Sequence, residues 1–266
     1  MIEKALREDV IALAQDAAAA ILGIYDSEFA VEHKDDDSPL TAADLAAHRC
    51  IVDGLARITP DIPVLSEEAA HEVDTATRRR WRRLWIVDPL DGTREFVKRN
   101  GEFTVNIALV EDGVAVFGVV QAPVTGVAWH GGATLGAWRR EHGYDAPMRV
   151  RAPATAPLRV AASRSHLDLR SSATIDRMGE VTLLGMGSSL KFCRMAEGGL
   201  DVYPRFAPTS EWDTAAGQCV LECAGGVVLT LDGNPLRYNT KESLLNPDFL
   251  ALGDAALPWR EWLPNG

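Results

Sequence analysis

The chain has 266 residues, 47% of them apolar and 24% charged, and its 27 basic against 38 acidic residues leave a formal net charge of −11. That length suits one large α/β domain or two small ones sharing a core, with no need of disulfide or metal staples. The acidic balance argues against a binder of polymeric nucleic acid, whose affinity comes from surplus cations, and equally against attraction to an anionic membrane surface.

The first nine residues have neither the basic start nor the apolar core of a signal peptide. Leu6, Val10, Leu13, Ala17, Ile21 and Ile24 instead follow a helical stripe that reaches about Tyr25. After the acidic turn Asp35-Asp36-Asp37-Ser38-Pro39, a second helix is expected from about Thr41 to Ile58, carrying Leu45, Val52 and Leu55. Pro60 and Pro63 bracket a turn, and Val64-Leu65 is a short apolar strand ending at Ser66-Glu67-Glu68. The run Arg78-Arg79-Arg80-Trp81-Arg82-Arg83 predicts a solvated helix face, and residues 84–87 a buried strand that stops at Asp88-Pro89. Phe103, Val105, Ile107 and Leu109 alternate with polar or small residues, as a strand does, and residues 114–121 return across the Glu111-Asp112-Gly113 turn as a hairpin. The uncharged stretch 114–138 is long enough to be checked as a membrane span. Gly118, Pro123, Gly126, Gly131, Gly132 and Gly136 divide it into soluble strands and turns.

The Pro- and Ala-rich segment 152–157 marks a boundary. Beyond it, strands are expected at 158–162, 181–184, around 202–203 and at 227–231, with helices from about Leu167, over 189–197 and over 213–224. The first half reads as helices followed by antiparallel strands, the second as alternating strand and helix. This predicts two α/β subdomains, residues 1–152 and 158–266, packed as one layered body. Four cysteines (Cys50, Cys193, Cys219, Cys223) make no disulfide framework, and Cys219 and Cys223, four apart on a helix, have no nearby Cys/His pair to complete a zinc site. Buried reduced thiols and a cytoplasmic location are expected, with peripheral attachment at the inner membrane face left open.

The chemistry lies in carboxylates at the ends of elements rather than along helix faces. Glu67 follows strand 64–65, Asp88 and Asp91 close strand 84–87 in Asp88-Pro89-Leu90-Asp91-Gly92-Thr93, Asp213 opens a helix in Trp212-Asp213-Thr214-Ala215-Ala216, and Asp44 sits in the first turn of another helix. Side chains at strand ends face the crevice where open α/β sheets bind ligands. Carboxylates gathered there repel one another and resist ionisation unless cations neutralise them. Hard oxygen ligands suit Mg²⁺, which keeps several waters and takes substrate phosphate oxygens. Two such ions about 3.5–4 Å apart can activate water and stabilise both oxygens of an in-line phosphoryl transfer. Singly, each residue has a plainer role. Asp88-Pro89 and Asp91-Gly92 are turn dipeptides, Thr41-Ala42-Ala43-Asp44 is a capping-box variant, Asp213 suits a helix N-terminus through the macrodipole, and Glu67 and Glu68 suit a surface. Their joint occurrence is the signal.

Asp88-Pro89-Leu90-Asp91-Gly92-Thr93 together with Trp212-Asp213-Thr214-Ala215-Ala216 resembles the two signatures of the inositol monophosphatase superfamily of Mg²⁺-dependent, lithium-sensitive phosphatases. Leu65-Ser66-Glu67-Glu68 is similar to that family's acidic segment. The likeness extends to its CysQ-type 3′(2′),5′-bisphosphate nucleotidase branch through residues 37–44, 98–106, 163–166, 187–193 and 203–206 and through Leu236-Arg237-Tyr238, covering roughly residues 1–250. It implies an αβαβα sandwich of the sugar phosphatase type. It implies as well two or three Mg²⁺ ions per site and hydrolysis of the 3′-phosphate of 3′-phosphoadenosine 5′-phosphate to AMP and phosphate by a metal-activated water. The 5′-phosphosulfate analogue is an implied second substrate, and sulfur assimilation the implied setting.

On the same resemblance, Glu67, Asp88, the carbonyl of Leu90, Asp91 and Asp213 are metal ligands, with Asp88 bridging and Glu67 also catalytic. Thr93 positions the attacking water and relays its proton toward Asp44, while the N–H groups of Gly92 and Thr93 hold the scissile phosphate, a use of turn amides that anion binding independently favours. His166, Ser188, Lys191 and Arg205 are implied nucleotide contacts, and Ser188 and Lys191, three apart near a helix start, converge N–H groups and an ammonium on an anion. The plainer reading makes Ser188 an N-cap and Arg205 a surface ion pair. Residues 253–266, with Trp259 and Trp262, have no counterpart in the pattern.

Three rivals remain distinguishable. A haloacid-dehalogenase phosphatase carries Asp-x-Asp-Gly-Thr, with one residue between the aspartates where this chain has two, and forms an aspartyl-phosphate that direct attack by water does not. An inositol monophosphatase or related sugar phosphatase would share the carboxylates, so the choice rests on Lys191, Arg205 and His166, cations enough for a second phosphate. A non-catalytic nucleotide or Mg²⁺ sensor requires a broken ligand position, and none is found. The expected partner is a small bisphosphorylated nucleotide, with no nucleic-acid polymer and no transmembrane segment; oligomeric state leaves no mark on the sequence.

Overall fold

The structure is a computed structural model and describes residues 3–25, 31–33, 39–162 and 168–263. Helices α1 (Lys4–Tyr25) and α2 (Ala42–Ile58) follow the two apolar stripes, and between them lies the short antiparallel pair β1 (Val31–His33) and β2 (Pro39–Thr41). Strand β3 (Val64–Ser66) leads through a 3-10 turn at Glu67–Glu72 to the single-turn α3 (Thr75–Arg78). Then come β4 (Arg83–Asp91), α4 (Thr93–Val97) and the meander β5 (Thr104–Glu111), β6 (Val114–Gln121), β7 (Ala128–Gly132), β8 (Gly136–Glu141) and β9 (Tyr144–Pro147). Strands β3 to β9 lie side by side in chain order as one sheet, antiparallel except for the parallel pair β3–β4.

The second half supplies β10 (Leu158–Ala162), α5 (Leu169–Ile175), β11 (Val181–Gly185), α6 (Leu190–Ala196) and β12 (Val202–Arg205). It ends with α7 (Ala215–Cys223), β13 (Val227–Thr230), β14 (Phe249–Leu252) and α8 (Trp259–Trp262). Its five strands run in the order β11-β10-β12-β14-β13, with β10 parallel to both neighbours and β14 antiparallel to both of its own.

The two-residue period of a strand sorts the side chains into layers. Trp85 and Val87 of β4, Val105, Ile107 and Leu109 of β5, and Phe117 and Val119 of β6 meet the apolar stripes of α1 and α2. Their alternate neighbours Ile86, Ala108, Val110 and Val120 pack on α6 and α7, which in turn meet Tyr203, Phe249 and Ala251 of the second sheet. Val160, Val202, Leu250 and Leu252 face outward from that sheet and are covered by Ile175, Met178, Trp259 and Trp262. The order is αβαβα, as the resemblance implied, and the tryptophan tail closes the outermost layer. Gly118 allows the central contact: a Cβ there would stand 2.6 Å from the Ala216 carbonyl oxygen, so only glycine lets α7 lie this close to β6. Strand β5 is buried on both faces, so its alternation separates two interiors rather than core from solvent.

Three expectations are corrected. Strand β4 does not stop at Asp88-Pro89 but continues to Asp91. The arginine run is no solvated helix face at its start: Arg78 is 2% exposed, and its guanidinium donates to Asn239 Oδ1 at 3.0 Å and to the Glu242 carbonyl. The helix ends there, and Arg83 already belongs to β4; the acceptors that take Arg78 inward lie some 160 residues away in sequence. Asp213 does not open an α-helix but closes a 3-10 turn at Glu211–Asp213, with α7 starting at Ala215. No described helix is long and apolar enough to cross a membrane. All four cysteines are free, Cys193 and Cys219 buried and Cys50 and Cys223 half-buried.

Candidate active site

The parallel register of β3 and β4 sets Ser66 beside Val87, so the next residues, Glu67 and Asp88, emerge together at the strands' C-terminal ends. A regular strand would send Asp88 and Asp91, three residues apart, to opposite faces. A β-bulge prevents this: Asp88 pairs with Asn106 and Asp91 with Thr104, so Pro89 and Leu90 together oppose Val105 alone. Asn106 and Thr104 share a face of β5, and Asp88 and Asp91 therefore share the facing one. Pro89, which cannot donate to a ladder, sits where none is required. The Leu90 amide turns back to donate to Asp88 Oδ1 at 3.1 Å, and Gly92, at φ +94°, swings the chain into α4, headed by Thr93.

From the other half comes Asp213, whose Oδ2 accepts from the Ser210 amide at 2.9 Å and so holds the turn that precedes α7. Asp44, in the first turn of α2, is 1% exposed. Burial, reinforced by the charges of Glu67, Asp91, Asp213 and Asp44, pushes the Asp88 carboxyl well above the usual carboxylate range. Burial and the charges of Asp91 and Glu67 push Asp213 up to about 8, against the lowering pull of the Ser210 amide and Arg205. Each of the other four predicted acids is thus close enough to act on Asp88.

Glu67, Asp88, Leu90, Asp91, Gly92, Thr93 and Asp213 line one cavity of about 320 Å³. No three His, Cys, Asp or Glu side chains among the described residues are already gathered tightly enough to enclose an ion. The carboxylates ring a chamber rather than form a closed cage. An all-oxygen, anionic donor set with room for water fits hard divalent ions that keep part of their hydration shell, and lacks the thiolates and imidazoles that select zinc.

Asp91, Gly92, Thr209 and Asp213 form a wall shared with a second cavity of about 360 Å³. Lys191, Arg205 and Arg94 supply its cations, and Phe192, Tyr203 and Met186 its apolar surface. Lys191 Nζ donates to the Ser188 carbonyl at 3.0 Å and lies 5.3 Å from the Tyr203 ring centre. Arg205 donates to the carbonyls of Ala207 and Pro208 at 3.1 and 3.0 Å, not to a surface carboxylate. Ser188 adopts φ +44°, a strained conformation for a serine, and is not the cap of α6; that position belongs to Ser189. His166 lies outside the described residues.

Residues 3–258 match the family model described as the inositol monophosphatase family. The chain belongs to that family. It is 51% identical over 246 residues to a Salmonella typhimurium protein named 3′(2′),5′-bisphosphate nucleotidase CysQ, covering 91% of this chain and 97% of that one. A protein of the same name from Escherichia coli K12 is 49% identical over 244 residues, with the same coverage. Among solved structures, CysQ from Bacteroides thetaiotaomicron, itself described as a bacterial inositol monophosphatase family member, shares 43% identity at a TM-score of 0.79, over 92% of this chain and 97% of that one. Membership of the inositol monophosphatase family removes the haloacid-dehalogenase reading, consistent with an Asp-x-x-Asp spacing that needs a bulge.

Two residues of these walls, Arg94 and Thr209, and two that hydrogen-bond to Asp91 behind them, Ser189 and Asn106, escape a reading by sequence. Arg94 and Thr209 carry no signal, being an ordinary polar helix residue and an ordinary loop residue. Ser189 hides beside Ser188, which the pattern favours. Asn106 is the one that could be found: an amide inside a strand of otherwise apolar or small residues requires a buried partner.

Proposed function

We propose that this chain is a Mg²⁺-dependent 3′(2′),5′-bisphosphate nucleotidase that hydrolyses the 3′-phosphate of 3′-phosphoadenosine 5′-phosphate to AMP and phosphate by attack of water. The observation that carries the reading is the junction at Asp91, Gly92, Thr209 and Asp213, where an anionic chamber opens onto one that adds Arg94, Lys191, Arg205 and two aromatic rings. A phosphomonoester at that junction has its reacting group among the carboxylates and its nucleoside and second phosphate among Lys191, Arg205 and the aromatic rings. Relatives 51% and 49% identical that bear the name of this activity support the substrate class.

Glu67, Asp88, Asp91, Asp213 and the Leu90 carbonyl would hold two or three Mg²⁺ ions. When bound, such ions neutralise the carboxylates, polarise the phosphate and lower the pKa of water. The amides of Gly92 and Thr93, two residues that line the cavity, hold oxygens of the scissile phosphate. The Thr93 hydroxyl orients the attacking water and passes its proton toward the buried Asp44 carboxylate, a role in which Glu67 assists. Lys191, Arg205, Ser188 and His166, joined by Arg94, hold the remaining phosphate and the nucleoside. In this reading residues 1–152 form the unit that carries most metal ligands and residues 158–266 the unit that carries most nucleotide contacts, and the enzyme works in the cytoplasm.

The test is a comparison of kcat/KM. With Mg²⁺, the purified protein turns over 3′-phosphoadenosine 5′-phosphate in clear preference to inositol 1-phosphate, a chelator abolishes turnover, and lithium inhibits it. A preference for inositol 1-phosphate or for a sugar phosphate overturns the assigned substrate.

A further inference from the structure

Ser189 touches both halves of the carboxylate chamber. Its amide donates to Asp91 Oδ2 at 2.7 Å, and its hydroxyl stands 2.8 Å from the same oxygen and 2.7 Å from the carbonyl oxygen of Asp213. Asn106 Nδ2 completes the cluster, 3.0 Å from Ser189 Oγ and 3.3 Å from Asp91 Oδ2. Ser189 and Asn106 are each 1% exposed, so these contacts are made out of water, where donors to a carboxylate count most. They arrive from three elements: Asp91 from the end of β4, Asn106 from β5, and Ser189 from the cap of α6 in the middle layer.

The arrangement gives Asp91 two unlike oxygens. Oδ2 is occupied by donors, so rotation of the carboxylate is blocked and Oδ1 is the oxygen left for another partner. The Ser189 hydroxyl has a single proton to share between the Asp91 carboxylate and the Asp213 carbonyl, so its loss loosens both acids at once. Asp91 and Asp213 repel each other, and nothing in their own segments draws them together. Mg²⁺ tolerates little error in this spacing, because it demands near-octahedral geometry at about 2.0–2.1 Å.

We propose that Ser189, braced by Asn106, is the positioning residue of the metal site, holding Asp91 and Asp213 at the separation a divalent cation requires. This rests on the reading of those two acids as metal ligands, and its test is chosen to separate the two. Calorimetric titration of the full, substrate-free chain with Mn²⁺ or Mg²⁺ reads the site without turnover. Ser189→Ala keeps the backbone bond to Asp91 but loses the hydroxyl, and weakens metal binding by about tenfold, the low end for residues that orient metal ligands. In turnover, the Mg²⁺ concentration for half-maximal rate rises by the same factor, while kcat at saturating Mg²⁺ falls by less. Ser189→Thr, which retains the hydroxyl, restores metal binding. If Ser189→Ala fails to fold, Asn106→Ala carries the test with a smaller expected loss of affinity, since the Asn106 Oδ1 has no hydrogen-bond partner among the described residues to forfeit. Equal metal affinity in the variants and the unaltered protein overturns the proposal and reduces Ser189 to a helix cap. No metal binding by the unaltered protein overturns the metallophosphatase reading itself.

Discussion

Asp201 and Asp213 are both buried aspartates in the second half of the chain, and their surroundings act on them in opposite directions. Asp201 is fully enclosed between two arginines. Arg151 donates to its two oxygens at 2.9 and 2.5 Å, and Arg159 adds its amide at 2.8 Å and its guanidinium at 2.9 Å. Burial alone would raise this carboxyl, but the arginine bonds outweigh it and hold the group below the usual range. Asp213 has other acids as its neighbours, and burial with their charges pushes it up to about 8. The chain supplies the counter-charge in the first place; in the second, on the proposed function, a metal ion supplies it. Arginines offset the burial of Asp201, whereas the acids around Asp213 add to the cost of burying it.

The sharpest way to break this contrast is to neutralise each acid in turn. If Asp213 is the metal ligand proposed above, Asp213→Asn should lower turnover about a thousandfold, equivalent to about 4 kcal/mol of transition-state stabilisation, because a ligand charge is gone. The same substitution should raise the stability of the chelated protein at neutral pH by about 1 kcal/mol or more, since an amide has no need to take up a proton when it is buried. Asp201→Asn should do the reverse, costing about 3–5 kcal/mol by leaving two arginines short of a charge, with turnover per folded molecule retained. Thermal melts in chelator and rates with Mg²⁺ measure both. A chelated Asp213→Asn protein less stable than the unaltered one sinks the comparison.

A pH series sharpens it further. Asp213 ionises at about 8 when folded against 3.8 as a free side chain, so between those values the native state binds more protons than the unfolded one, and stability falls as pH rises. The chelated protein should therefore lose on the order of a few kcal/mol from pH 5 to pH 8. Mg²⁺ should remove most of that slope, because it favours the ionised acids. Denaturant titrations with and without Mg²⁺ at several pH values check this, and an unchanged slope refutes it.

A modest effect, on stability alone, belongs to the surface counterpart of Asp201. Arg140 ties Glu8 of α1 to Asp145 of β9 through bonds of 2.6 to 3.2 Å, and holds both carboxyls at about 2. A depressed carboxyl contributes stability above its unfolded pKa, here 4.5 and 3.8, and loses it as pH falls toward 2. Arg140→Met should thus cost about 1–2 kcal/mol at pH 7, with the Glu8 share discounted because that side chain is 40% exposed. The cost should shrink steadily between pH 4.5 and pH 2, as chemical denaturation would read.

Much of the site was legible because its residues are local in two senses. Asp88, Asp91 and Gly92 combine turn-forming chemistry with a strand end, and Glu67 follows a strand of three residues, so a crevice lined by acids could be read from short strings. What could not be read lies in pairings far apart in sequence. Ser189 meets Asp91 across 98 positions, Arg78 finds Asn239 across 161, and neither string carries any mark of its partner. The arginine run misled for this reason: polarity patterns report a preference for water, which a distant set of buried acceptors can override.

Alone, the amino-acid sequence determined the layers and the inventory: apolar periods of 3.6 and 2 residues dictate which faces must be covered, and hard oxygen donors dictate the kind of ion they suit. Tertiary structure decided the aim of those donors. Whether Asp88 and Asp91 face one cavity depends on an extra residue in β4 relative to β5, and the distance from Asp91 to Asp213 depends on a serine delivered by a third element. The physical reason is that chain chemistry acts through near neighbours, whereas register and the close approach of like charges exist only once separate segments have packed.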